Sequence, residues 1–105
     1  MSEREDQFKN MVAEFPDSPM GHFSLGRLYL DEHRWAESTE ALTRAVQLDP
    51  TYAAAWVALG DAFLGVGNRA RAQDAWDQAL KTPLGQRDMS LQADLEQRLR
   101  DLQDF

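Results

Sequence analysis

Large apolar side chains recur along this chain at spacings of three and four, the period of helices with one buried face. Phe8, Met11, Val12 and Phe15 form the first run. Ser2, with Glu5 three residues on, has the pattern of a capping box that starts a helix at about Glu3. Pro16 ends it, because proline disfavours helical geometry in the residue before it. Ser18-Pro19 restarts the chain as a cap followed by proline at the first helical position. The second helix, to about Asp31, carries His22, Leu25 and Tyr29 on one stripe and Phe23 and Leu30 beside it. A third, from Trp35 to about Leu48, places Trp35, Ser38, Leu42, Ala45 and Val46 together, and Asp49-Pro50 closes it. Thr51 is the expected cap of a fourth helix, from Tyr52 to about Val66, with Trp56, Leu59, Gly60 and Phe63 facing inward. Gly65 and Gly67 mark the next turn, and Asn68 caps a fifth helix carrying Ala72, Ala75, Trp76, Ala79 and Leu80. After a loop from Pro83 to Arg87, Asp88 caps a sixth helix. Its Leu91, Leu95, Leu99 and Leu102 form one stripe, with Met89 and Phe105 at the ends. Turns this short make antiparallel neighbours, so the expected fold is all-α with about six helices.

The pattern repeats. Thirty-four residues separate Leu25 from Leu59, Gly26 from Gly60, Tyr29 from Phe63, Leu42 from Trp76 and Ala45 from Ala79. The same step back from Leu42, Ala45, Val46 and Pro50 reaches Phe8, Met11, Val12 and Pro16, so the first helix reads as the second half of a preceding repeat. A bulky residue, then Leu-Gly, an aromatic, a small residue, an aromatic and Ala resembles the tetratricopeptide repeat (TPR) signature. Residues 53–86 carry it as Trp56, Leu59, Gly60, Phe63, Gly67, Ala72, Trp76 and Ala79, and residues 19–52 as Leu25, Gly26, Tyr29, Leu42, Ala45, Leu48 and Pro50. His22 and Ser38 depart from it, and Pro83 stands one place early. The resemblance implies antiparallel hairpins stacked in a short right-handed solenoid. The whole chain is then one domain, with a leading half repeat (3–15), two repeats (19–52 and 53–86) and a C-terminal capping helix (88–105). Gly26 and Gly60 are expected to let paired helices approach across Ser38 and Ala72.

Composition narrows the chemistry. Cysteine is absent, which removes disulfides and thiolate sites. The net charge of -7 argues against a nucleic-acid backbone as partner. No apolar run approaches the roughly 20 residues that span a bilayer, and the opening residues lack the form of a signal peptide, so the expected location is the cytoplasm, away from membranes. His22 and His33 have no second ligand at zinc-site spacing, and Gly65-Val66-Gly67 lacks the context of a phosphate loop. Asp31-Glu32, and Asp74 with Asp77, read as solvated faces. The chain is therefore expected to be no enzyme and to need neither metal nor cofactor.

Binding is what remains. In the TPR family the first helix of each hairpin lines a concave face. The matching positions here are Met20, Phe23, Arg27, Leu30 and Asp31, then Ala54, Val57, Asp61, Leu64 and Gly65, and the first four of each set are the candidate binding residues. Phe23, Leu30, Val57 and Leu64 are apolar where their own hairpin does not require it, as in a peptide groove or in a core that the C-terminal helix folds back to cover. The family's clamp for C-terminal carboxylates needs Lys and Asn at positions held here by Phe23, Arg27 and Ala58, so that ligand is not expected. The expectation is a protein or peptide partner, neutral or basic, with an apolar anchor, bound by a monomer. The alternative is self-assembly through the terminal helices, since the leucine stripe also suits a helix pair.

Overall fold

The computed structural model describes residues 2–104, and Phe105 lies outside the described residues. Among the described residues seven helices follow one another: α1 (Glu3–Glu14), α2 (Pro19–Asp31), α3 (Trp35–Leu48), α4 (Ala53–Gly65), α5 (Arg69–Lys81), α6 (Pro83–Arg87) and α7 (Met89–Gln103). The extra element is α6, in the stretch expected to be a loop. Thr82 Oγ1 accepts the Gly85 amide at 3.0 Å, and Pro83 stands where a first helical turn needs no amide. Ser18, Asn68 and Asp88 cap their helices as expected. Thr51 does not: it donates its amide and its hydroxyl to Asp49 Oδ1, at 3.0 and 2.6 Å, and α4 starts after Tyr52 without a side-chain cap.

Within each hairpin the glycine admits a larger partner than expected. A Cβ on Gly26 would lie 2.5 Å from Leu42 Cγ, and one on Gly60 would collide with the Trp76 ring. Ser38 is the second lock, donating its hydroxyl to the Gly26 carbonyl at 2.8 Å. Trp76, 2% exposed, donates Nε1 to the Val57 carbonyl at 3.2 Å. Burying a ring of about 150–250 Å² at about 25 cal/mol per Å² yields gross stabilisation of about 4–6 kcal/mol.

The turns repeat as faithfully as the helices. His33 and Gly67, 34 positions apart, both take positive φ, 59° and 83°. Around them the same bonds recur: Arg34 to Tyr29 and Asn68 to Phe63, His33 to Leu30 and Gly67 to Leu64. A left-handed residue there satisfies carbonyls that the helix end leaves free.

Stacking proceeds along the chain: α2 pairs with α3, α4 with α5, α4 lies against α3, and α7 against α5. α7 thus takes the place of the first helix of a further hairpin. Its leucine stripe turns inward, with Leu95 and Leu102 buried alongside Ala72, Trp76 and Ala79. At the other end, the positions that hold Ser38 and Ala41 in α3 carry the exposed Arg4 and Gln7 in α1, polar residues suited to a free edge. Arg4 lies over the Phe8 ring, 5.8 Å from its centroid.

α1 is fastened by charge. Glu5 gives its amide to Ser2 Oγ at 3.0 Å, one half of the expected box, but its carboxylate turns into the interior, 1% exposed. There it accepts from Arg34 at 2.7 and 3.3 Å and from Tyr29 at 3.2 Å, with Lys9 at 3.1 Å. Arg34 also holds Glu32 and Glu37. The Arg34 bonds, helped by Lys9 and opposed by burial, hold the Glu5 carboxyl at about 2 against an ordinary 4.5.

Two outcomes follow from this packing. Gly60→Ala forces the Trp76 ring to move and is expected to cost about 1–3 kcal/mol in chemical denaturation. Because the Glu5 pKa is lowered on folding, its contribution is present above pH 4.5 and is lost as pH falls toward 2. Glu5→Gln should therefore be less stable than the wild type at neutral pH and converge on it across that window. A stability difference independent of pH would contradict the assignment.

Candidate functional site

The side of the stack formed by α2, α4 and α7 carries the eight residues expected to bind, and they divide into two groups. Met20 is 60% exposed, and Ala54 is exposed. Phe23 is half-buried, its ring tilted against Tyr52 with centroids 4.9 Å apart. Val57 is half-buried against the cluster that α5 and α7 share. The other four meet in one cleft. Arg27, Leu30, Asp61 and Leu64 line a cavity of 540 Å³ together with Asp31, His33, Trp35 and Arg98. The division follows position along the helices: the cleft opens at the C-terminal turns of α2 and α4, where Leu30, Asp31 and Leu64 lie.

Three cleft residues were not anticipated from the sequence. The Trp35 ring covers Gly65, where any Cβ would collide with it, and His33 stacks on Trp35 at 4.8 Å and 21°. Arg98 bonds to Asp94 at 3.3 Å, the four-residue spacing at which acid and base pair along a helix, but its other arm donates to Asp61 on α4. Arg100, four residues after Glu96, bonds to Gln97 at 2.8 Å. The signal for Trp35 was Gly65 in the last turn of α4, placed by phase on this face without the ring that fills the space beside it. Arg98 had no comparable signal, because its charge is accounted for within its own helix.

The electrostatics of the cleft are balanced. Arg27 and Asp31, both exposed, approach to 3.8 Å. Asp61 is more withdrawn: burial pushes its carboxyl above the usual carboxylate range, even though Arg98 pulls the other way. A larger groove of 800 Å³ runs beside α3, but it is floored by Leu25, Tyr29 and Phe63, the residues that close the hairpins. Tyr29 is already bound to Glu5 there, whereas the smaller cleft presents Leu64, 37% exposed, with no such task. His22, on the rim of the larger groove, donates Nε2 to the Pro16 carbonyl at 2.9 Å and so ties the α1–α2 corner.

Comparison with known proteins agrees with the geometry. The tetratricopeptide-repeat family model matches residues 29–95. The chain belongs to the tetratricopeptide-repeat family. It is similar to TPR repeat-containing protein PA0015 of Pseudomonas aeruginosa, 35% identical over 94 residues that make up 90% of each chain. It is also similar to the solution structure of protein BPP2914 from Bordetella parapertussis, at 30% identity and a TM-score of 0.81, with 99% of this chain and 90% of that one covered. TPR proteins are generally non-catalytic and typically bind proteins or peptides. No helix among the described residues of this TPR chain is long and apolar enough to cross a membrane.

Two substitutions separate surface from packing on this face. Val57→Glu would set a carboxylate against the apolar cluster of α5 and α7 and is expected to cost about 2 kcal/mol or more. Leu64→Glu should stay within about 0.5 kcal/mol of the wild type. Denaturant midpoints of the two variants test this directly.

Proposed function

We propose that this TPR chain is a non-catalytic interaction module that holds a peptide or protein segment on its concave side, in and beside the cleft across α2, α4 and α7. One observation carries the reading. Three helices and the start of α3 converge on a half-open cavity in which Leu30, Leu64 and the Trp35 ring lie beside charged groups that water still reaches. That is the make-up of a site taking an apolar anchor and fixing its orientation by polar contacts. Met20 and Phe23 extend the surface toward the start of α2, and Ala54 and Val57 continue it along α4.

The partner segment is neutral or basic, with one apolar anchor. The chain's charge of -7 draws cations, and the C-terminal turns of α2 and α4 add the negative ends of two helix dipoles at the cleft. Self-assembly through the leucine stripe is the weaker reading, since α7 already uses Leu95 and Leu102 against α5. No catalysis is assigned, and no metal or cofactor is needed for binding of this kind. A cytoplasmic setting fits the absence of cysteine.

Segments selected from a random-peptide display library, measured by fluorescence anisotropy, test the proposal. Leu64→Glu should weaken them about tenfold or more, a loss of about 1.4 kcal/mol. Equal affinity for the wild type and this variant would place binding elsewhere.

A further inference from the structure

The side-chain bond from Arg98 to Asp61 joins α7 to α4 across the cleft. We infer that Asp61 is a cation subsite, occupied by the chain's own Arg98 until an arginine or lysine of a bound segment replaces it. This rests on the proposed reading of the cleft and names the polar half of what that cleft recognises.

The two partners are unequally placed if the pair opens. Arg98 has somewhere to go: its Nε already donates to Asp94 at 3.3 Å, and its guanidinium lies 5.8 Å from the centre of the Trp76 ring. Releasing Asp61 therefore leaves Arg98 neutralised on its own helix. Asp61 has no equivalent acceptor role to fall back on. Arg98 is its hydrogen-bond partner among the described residues, while Arg27 acts on it only through its field. A partly desolvated carboxylate stripped of its cation gains from a replacement, so another cation is taken up in its place.

The pair is also built to open. Arg98 reaches Asp61 through one nitrogen and one oxygen, without the two-pronged geometry that makes arginine–carboxylate pairs strong. Both side chains keep about a third of their surface in solvent, at 32% and 28%, on the wall of the 540 Å³ cleft. Local charge favours the exchange. Two of the eleven cations and two of the eighteen acids line this cleft, so it is near neutral while Arg98 stays in it. Once Arg98 turns to Asp94, the cleft holds an unanswered carboxylate beside Leu30, Leu64 and Trp35. A segment that sets an apolar side chain against those three and a cation one or two residues away satisfies both halves.

The probe is leucyl-arginine amide, with leucyl-glutamate amide as control, titrated into the isotope-labelled full chain and followed by two-dimensional amide NMR. Leucyl-arginine amide should shift Leu30, Asp61 and Leu64 saturably, and Asp61→Asn should remove the response. Arg98→Ala and the bulkier Arg98→Gln, each checked for an intact spectrum, should bind it about two- to fivefold tighter, the range a solvent-exposed ion pair spans. Unchanged or weaker binding in both Arg98 variants would overturn the exchange. A preference for leucyl-glutamate amide, or silence in wild type and variants alike, would overturn the cation subsite. Library-selected segments that depend on Leu64 but ignore Asp61→Asn would leave the cleft standing and remove only its polar half.

Discussion

The close approach of paired helices at Gly26 and Gly60 is the constraint on which the rest depends. The space a Cβ would need is filled by Leu42 in one hairpin and by Trp76 in the next. Because Trp76 enters α4 at Gly60 and bonds to the Val57 carbonyl, it fixes both the rotation and the height of α5 against α4. That placement creates the apolar surface of Ala72, Trp76 and Ala79 on which Leu95 and Leu102 of α7 lie. Only with α7 seated there can Arg98 reach Asp61. A missing methyl group in α4 thus governs whether Arg98, three helices further on in α7, meets Asp61.

Much of this was legible in the sequence because it is periodic. Leu25-Gly26 and Leu59-Gly60, Tyr29 and Phe63, and the inward Leu42 and Trp76 announce themselves by recurring at one interval, and a recurring pattern has a shared physical cause. The turns show the same thing at the level of the backbone, where His33 takes the left-handed conformation that Gly67 takes one repeat later. What the sequence hid was whatever occurs once. Glu5 has Thr39 and Gln73 at the matching places of the later repeats, so nothing in the pattern shows that its carboxylate is buried against Arg34. Its agreement with a capping box explained the residue before its deeper role could be considered. Arg34 is a similar case: it begins α3 as Asn68 begins α5, but Asn68 caps its helix and Arg34 reaches Glu5, Glu32 and Glu37.

The candidate site divides along the same line. Arg27, Leu30, Asp61 and Leu64 were found from the phase of α2 and α4, which the glycines determine. Trp35, His33 and Arg98 complete the cleft from the α2–α3 turn, the start of α3, and α7, through contacts that have no counterpart in the neighbouring repeat. Phe23 and Val57, on the same face, serve the packing as well, which is why they are half-buried while Leu64 is not. Function in this fold lies beside the repeated motif: the repeated residues hold the helices in place, and the singular ones give the surface its chemistry.

The most direct measurement is the footprint of a selected peptide segment on the full chain by amide hydrogen exchange. Protection should gather at the C-terminal turns of α2 and α4, through the α2–α3 turn to Trp35, and around Arg98 in α7. A footprint along the groove beside α3, over Thr43, Arg44 and Arg71, with those turns unchanged, would contradict the account.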